Sequence, residues 1–259
     1  MLTKRFTAYK LLLTLFMLMP LLGLTMTVAL ADCTDPPTRG VLWVGCNKQN
    51  ADLRGADLRG AILTRTDFSG ADLRDAKLSG AELNFAILNN VRLDRARLND
   101  ARLTGTRLNN CNMNQAVLNG AKFDRAILNN ATLTEAQINN ASFYQASLID
   151  ADLSHSSLVG SNFSQASLSG SSLQYSDLSH ADLTRTNLED AKLNHAIMIE
   201  TNLEQAKLLY TDLSNSDLTL ARLVEADITE AILENTRLDK AQWIDRRRCR
   251  TPSVGSCRK

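Results

Sequence analysis

The chain has 259 residues, 44% of them hydrophobic and 22% charged, and its 29 basic and 28 acidic residues leave a formal net charge of +1. This balance argues against an evenly acidic protein of the kind that imitates duplex DNA, because such mimicry needs negative charge along the whole surface. Length and hydrophobic content are sufficient for a single domain with a sizeable core.

Residues 1–31 have the composition of a secretory signal peptide. Three basic residues precede an apolar run at residues 11–30, and Ala29 and Ala31 supply the small residues of a cleavage site. We therefore expect cleavage after Ala31 and export from the cytoplasm. The alternative is an uncleaved membrane anchor at residues 11–30, because twenty mostly apolar residues can just span a bilayer.

Residues 32–50 resemble an imperfect copy of the repeat that follows them. Val41 and Trp43 fit the spacing of that repeat, whereas Cys46 and Lys48 stand where a small and a large apolar residue are expected. An open solenoid end needs a cover. We interpret residues 32–50 as an N-terminal capping segment.

A five-residue repeat occupies residues 51–244 without interruption. Every fifth residue from Leu53 to Trp243 is large and apolar, 30 of the 39 being Leu, and the residue two places earlier is small. On an α-helix this spacing turns successive Leu residues by about 140°, and on a straight strand it places them on opposite faces. A short extended piece followed by a corner fits the spacing. Four corners close a square coil of 20 residues, stacked about 4.8 Å from the next.

The tandem motif A-(D/N)-L-x-x, as in residues 51–55 and 56–60, resembles the pentapeptide-repeat family over about three quarters of the chain. The resemblance implies an all-β fold, a right-handed quadrilateral parallel β-helix, which would have nearly ten coils here. With its predicted signal peptide and short Cys-containing cap, the chain is similar to the secreted pentapeptide-repeat proteins that are abundant in cyanobacteria. That similarity implies the periplasm or the thylakoid lumen as the destination.

Residues 20 apart should stack if the coil has four sides, and the sequence contains such ladders. Phe123, Phe143 and Phe163 are predicted to form an aromatic ladder in the core. Asparagines repeat at the same spacing, so we expect their amides to bond along the stack. The asparagine sets are Asn89, Asn109 and Asn129; Asn90, Asn110 and Asn130; and Asn99, Asn119 and Asn139.

Four of the five cysteines flank the repeat region. Cys33 and Cys46 precede it, Cys249 and Cys257 follow it, and a rod's length separates the two pairs. Disulfides persist outside the cytoplasm. We therefore predict one short-loop disulfide at each end. Cys111 occupies a small inward position and is expected to be a buried free thiol.

The repeats end in a basic segment, residues 245–259, which carries a net charge of +5. Trp243 takes the last inward position and is predicted to plug the end of the core. We interpret the basic segment as a C-terminal cap, with a recruited binding site as the alternative. End-to-end pairing of two copies also stays open.

One coil carries an arginine on each of its four sides, a girdle formed by Arg92, Arg97, Arg102 and Arg107. Residues 51–150 have a net charge of +1 and residues 151–244 a net charge of −8. The girdle is a candidate contact for an anionic surface such as lipid head groups or cell-wall polymer, with ordinary solvated charge as the alternative. It lacks the interleaved aromatic residues of a nucleic-acid site.

The sequence contains no catalytic, cofactor-binding or metal-binding motif. His155 and His195 would lie about 10 Å apart on one corner, too far to share a metal ion. We expect no enzymatic activity, no cofactor and no small-molecule substrate. The predicted function is an exported structural or protein-interaction scaffold whose partner is an unknown protein or envelope component, with a membrane partner only if the signal segment stays uncleaved.

The alternative is a regulator of a partner enzyme by nucleic-acid-like surface mimicry. The resemblance implies it, because some cytosolic members of the family inhibit or protect DNA gyrase in this way.

Overall fold

The computed structural model describes residues 32–258. The predicted signal peptide, residues 1–31, lies outside the described residues. From residue 41 onward, each side of a coil pairs in parallel with the side that follows 20 residues later, starting at Leu42 with Ile62 and ending at Arg222 with Gln242. Within residues 32–258 every such contact is a single-residue bridge, and no longer strand is formed there. This pairing has the 20-residue period that the sequence predicts.

The large and the small residue of each repeat both point inward. Leu58, Leu63 and the other large residues through Leu223 are at most 1% exposed, and the alanines between them are almost as well buried. Removing each Leu from water contributes about 1.5 to 3 kcal/mol before conformational entropy is subtracted.

Serine and threonine replace alanine in some inward positions because their hydroxyls find main-chain acceptors. Ser161 Oγ donates to the carbonyl of Ile138 at 2.5 Å, and Thr186 Oγ1 donates to that of Phe163 at 2.8 Å. A buried hydroxyl without such a partner would destabilise the core. The coil below therefore makes the polar substitutions compatible with the interior.

Each corner is a tight turn closed by a hydrogen bond from the next small residue, as from the Ala56 N–H to the Leu53 carbonyl at 3.1 Å. The second corner residue always has a positive φ, which glycine and asparagine adopt most easily. Yet Phe85 and Arg95 have φ values of 60° and 57°. Such a conformation costs a non-glycine residue about 1 to 2 kcal/mol. Stacking holds it in place, since the Arg95 N–H donates to the Asn114 carbonyl in the coil above at 3.0 Å.

The Asp or Asn before each Leu stabilises the corner that follows. Asp72 Oδ1 accepts the Arg74 N–H at 3.2 Å, and Asp182 Oδ1 accepts the Thr184 N–H at 3.0 Å. The side chain thus reaches past the inward Leu to a corner amide, a local bond that short polar side chains make readily. This bond explains the second position of the A-(D/N)-L-x-x motif.

After Asp245 the chain reverses direction instead of adding another coil. Residues 246–258, the return segment, pair antiparallel with the last coil through Arg248 with Gln242 and Val254 with Arg237. The Leu238 N–H donates to the Ser253 carbonyl at 2.8 Å. The return segment therefore occupies two sides of the final edge, residues 236–245.

Candidate functional site

Inward side chains fill the interior, so another molecule would bind at the sides, the corners or the ends. Within residues 32–258, no three His, Cys, Asp or Glu side chains are grouped so that they could hold a metal ion. No helix in the same part of the chain is long and apolar enough to cross a membrane.

The arginine girdle is exposed on all four sides, but two of its members have acidic partners. Arg102 Nη1 lies 3.1 Å from Glu82 Oε1, and Arg92 Nη1 lies 3.8 Å from Asp72 Oδ2. Arg97 and Arg107 have no ion pair among the described residues, and Arg97 follows Lys77 on its side of the stack. Exposed ion pairs contribute little to stability. Arg97 and Arg107 are therefore the charges of the girdle that are available to an external anion.

Phe123, Phe143 and Phe163 are stacked in the core. The ring centroids of Phe123 and Phe143 are 4.8 Å apart and those of Phe143 and Phe163 are 4.7 Å apart, with planes within 2° of parallel. All three side chains are fully buried. The ladder joins three successive coils.

A second aromatic stack runs along one outer corner. Tyr175 lies between His155 and His195, with centroid distances of 5.0 and 4.7 Å, and is 53% exposed. Lower on the same corner, Arg95 Nη2 lies 2.8 Å from Asp75 Oδ2. This corner thus displays aromatic and charged side chains in one line.

The asparagine ladders bond mainly to the main chain. Asn119 Oδ1 accepts the Asn139 N–H at 2.9 Å, and Asn139 Oδ1 accepts the Val159 N–H at 3.0 Å. An amide-to-amide bond of the predicted type joins Asn109 Nδ2 to Asn89 Oδ1 at 3.3 Å. The remaining set takes the left-handed corner position, with φ of 56° to 57° at Asn90, Asn110 and Asn130.

A glutamine ladder on another corner was not predicted from the sequence. Gln145 Nε2 donates to Gln165 Oε1 at 3.0 Å, and Gln205 Nε2 donates to Glu225 Oε2 at 2.8 Å. Their 20-residue spacing was the signal that would have identified them. Together with the asparagines, these bonds tie neighbouring coils along the outside.

At the N-terminal end, the disulfide between Cys33 and Cys46 has a Cα–Cα distance of 5.5 Å. Trp43 is fully buried, and its indole Nε1 donates to the Asp35 carbonyl at 3.2 Å. Lys48 Nζ lies 3.7 Å from the Trp43 ring centroid and donates to the Cys33 carbonyl at 2.8 Å. Burial lowers the pKa of Lys48. These contacts close the core beneath the first coil.

At the C-terminal end, the second predicted disulfide joins Cys249 to Cys257 with a Cα–Cα distance of 5.0 Å. Trp243 is 8% exposed, and its main-chain N–H donates to the Arg247 carbonyl at 2.7 Å. Arg246 Nη2 lies 2.6 Å from Glu225 Oε1. Part of the positive charge of the return segment is therefore paired with an acidic residue of the rod.

Cys111 is the free cysteine of the described chain, and it is buried in a small inward position. Burial raises the pKa of its thiol. A thiol without thiolate character is a poor nucleophile. The geometry therefore assigns Cys111 to the core.

A family model described as pentapeptide repeats matches residues 45–80, 76–115, 111–148, 146–185, 186–223 and 211–242. The chain belongs to the pentapeptide-repeat family. No curated protein sequence matches it.

Several solved pentapeptide-repeat proteins are similar to this chain. HetL from the cyanobacterium Nostoc sp. strain PCC 7120, described as involved in heterocyst differentiation regulation, is 28% identical, covers 78% of this chain and 92% of its own length, and has a TM-score of 0.40. A protein from the Arabidopsis thaliana thylakoid lumen is 29% identical, covers 36% of this chain and 65% of its own length, and has a TM-score of 0.35. Full-length QnrB1, a plasmid-mediated fluoroquinolone resistance protein, is 19% identical, covers 75% of this chain and 92% of its own length, and has a TM-score of 0.31.

The pentapeptide-repeat assignment accounts for the core, the corners and the ladders, because all of them follow from the repeated motif. The return segment and the charges on each side are particular to this chain. Its candidate interaction surfaces are accordingly the Arg97 and Arg107 sides, the Tyr175 corner and the two ends.

Proposed function

We propose that this pentapeptide-repeat protein is an exported, non-catalytic scaffold that binds another protein or an envelope component. In this proposal residues 1–31 are the signal peptide, residues 32–50 and 245–259 cap the ends, and residues 51–244 form a right-handed quadrilateral column of nearly ten coils. The unbroken register of bridges from Leu42 to Gln242 supports it best.

Such a register favours a scaffold because it fixes the spacing of exposed side chains. Each side of the column presents one outward strand residue per coil, at intervals of about 4.8 Å. A partner that binds such a surface does not have to order it first, so little conformational entropy is lost on the scaffold side. A filled rod without a cleft is a poor support for catalysis.

The proposal is tested by expressing the tagged full chain in a Gram-negative host and fractionating the cells. We expect a mature protein that begins at Asp32 in the exported fraction, and co-purification of envelope material or protein with it. Arg97→Glu with Arg107→Glu should reduce that recovery, whereas Arg92→Glu with Arg102→Glu, which changes the charge equally at arginines that already have acidic partners, should reduce it less.

Retention of the uncleaved chain in the cytoplasm would contradict the export proposal. A single stoichiometric enzyme, inhibited by the rod, would favour regulation by surface mimicry instead. The acidic residues 151–244 support that alternative, whereas the exposed charges of Arg97 and Arg107 weigh against it because a nucleic-acid mimic needs an uninterrupted negative surface.

A further inference from the structure

Two of the four sides of the last coil, residues 226–230 and 231–235, have no strand stacked above them. One coil below, each side donates two main-chain N–H groups upward, as Leu213 does to the Ile232 carbonyl at 2.9 Å and Asn215 does to the Glu234 carbonyl at 2.8 Å. The Thr211 carbonyl accepts one N–H in return, from Ile232 at 2.9 Å. This pattern of two donors and one acceptor is what an added strand must satisfy.

The return segment completes the pattern only on the other two sides. It supplies acceptors to Leu238, Lys240 and Trp243, and its Cys249 and Gly255 amides donate to the coil. Within residues 32–258, the N–H groups of the open sides have no main-chain partner, and neither do the two carbonyls that face the same way. The N–H groups belong to Ile228, Glu230, Leu233 and Asn235, and the carbonyls to Ala226 and Ala231.

The core beneath this edge is also incompletely covered. Ile228, Ala231 and Leu233 are inward residues but only half-buried. The residues 20 positions earlier, Leu208, Thr211 and Leu213, are fully buried. The open edge therefore combines unpaired main-chain groups with accessible apolar surface, the two features that an extended polypeptide recognises by strand addition.

The N-terminal edge does not offer the same combination. Its large inward residues are covered, since Leu53 is 6% exposed and Leu58 is fully buried, and the partly exposed inward residues are the small Ala51 and Ala56. At the outward positions beside them, Asp52 forms an ion pair with Arg54 and Asp57 forms one with Arg59. These two carboxylates therefore already have basic partners, whereas Glu230 and Glu234 form no ion pair within residues 32–258.

The charges at the open edge select the chemistry of its partner. Residues 226–235 contain Asp227, Glu230 and Glu234 and no basic residue. Two copies that met through this edge would bring six carboxylates together, since the interface of a two-fold dimer places the same surface on both sides. A basic segment would instead find these carboxylates along the open sides. On the adjoining return segment, Arg246 is already paired with Glu225 and Arg247 with Asp245.

We propose that residues 226–235 bind an extended, basic segment of a different protein, which adds as the missing two sides of the last coil. Its main chain pairs with the Ile228, Glu230 and Leu233 amides and its apolar side chains cover Ile228 and Leu233. Its Lys or Arg side chains face Glu230 and Glu234. The inference deepens the scaffold proposal and rests on it for the existence of a protein partner.

The experiment uses the mature protein and a fluorescein-labelled ten-residue peptide, two copies of Ala-Lys-Leu-Lys-Gly. We expect saturable binding by fluorescence anisotropy. A peptide with glutamate in place of lysine should not bind. Glu230→Lys with Glu234→Lys should weaken binding about tenfold or more, the factor that corresponds to 1.4 kcal/mol. The control, Glu189→Lys with Asp190→Lys, makes the same change of charge on the same kinds of corner position and should have little effect.

The proposed hydrogen bonding between the main chains of the peptide and the open edge is tested by Ile228→Pro. This substitution removes an amide that makes no bond within the fold, and it keeps the carbonyl that accepts the Ala231 N–H. Proline is tolerated at such edge positions. We expect an unchanged melting temperature to within a few degrees. Peptide binding should fall about tenfold or more below that of Ile228→Ala, which shortens the side chain but keeps the amide.

Hydrogen exchange of the unmutated protein provides a readout that does not depend on any variant. The amides of Ile228, Glu230 and Leu233 should exchange fast in the free protein and slow down when the peptide is added. Their equivalents one coil below, Leu208, Tyr210 and Leu213, donate to the last coil and should exchange slowly throughout. Slow exchange without peptide, binding that survives Ile228→Pro, or concentration-dependent dimerisation through this edge would each overturn the proposal. Absence of peptide binding while the rod still captures a partner through its sides would overturn the edge assignment and leave the scaffold proposal standing.

Discussion

Phe143 is the centre of the core aromatic ladder, and its replacement by alanine tests how much that ladder stabilises the rod. Truncating a buried phenylalanine costs about 3 to 5 kcal/mol through lost burial and the cavity left behind. Two ring contacts, at 4.8 and 4.7 Å, add about 0.5 to 1.5 kcal/mol each. We therefore expect Phe143→Ala to lower the free energy of unfolding by about 4 to 8 kcal/mol, comparable to the whole stability of many domains.

The assay is urea unfolding followed by far-ultraviolet circular dichroism, with hydrogen exchange to show whether the loss spreads to neighbouring coils. Tyr175 offers a matched control, because its ring stacks at 5.0 and 4.7 Å but is 53% exposed. Tyr175→Ala should cost no more than about 1 to 3 kcal/mol, the value of two ring contacts. Equal losses for the two variants would refute the reasoning, since burial would then contribute nothing at Phe143.

Three further predictions follow from individual contacts. A hydrogen bond from Arg59 lowers the pKa of Asp57 to about 2, below its ordinary value of 3.8. Their pairing should therefore be complete above about pH 4 and be lost as the pH falls through about 2, and Arg59→Ala should raise the Asp57 midpoint in an NMR titration. Gly120→Ala should lower the melting temperature slightly more than Gly80→Ala, because a Cβ at Gly120 must displace the exposed Asp100 carboxylate of the coil below while one at Gly80 meets nothing within 4 Å. A smaller shift for Gly120→Ala would contradict this contact. Cys111 should resist alkylation in the folded protein and react once on denaturation, as counted by mass spectrometry, and fast labelling of the native chain would place it outside the core.

The interior of the rod was predictable because it depends on spacing alone. In a period of five with a small residue two places before a large one, both residues are buried if they point inward between successive corners. From that arrangement followed the burial of Phe143 and the free thiol of Cys111, each of which needs only the position of a residue within its repeat. The pairing of Cys33 with Cys46 was predictable from the rod length that separates the two cysteine pairs.

The corners and the C-terminal end were less predictable, because they depend on contacts outside a single repeat. Turn propensity explains glycine and asparagine at positive φ but not Phe85 or Arg95, which are held there by the coil above. A repeat pattern also contains no information on where the chain goes once the pattern stops at Asp245. The two open sides at residues 226–235 result from that antiparallel return and could be recognised only from the main-chain hydrogen bonds.

Spin labels test the four-sided coil most directly. Ser157 and Asp177 are bridge partners in adjacent coils, whereas Ser167 lies two sides further along the chain from Ser157. Labels attached after Ser157→Cys with Asp177→Cys should show strong dipolar broadening, and those after Ser157→Cys with Ser167→Cys should not. Broadening in the second pair, or in neither, would contradict the stacking of residues 20 apart on which the account depends.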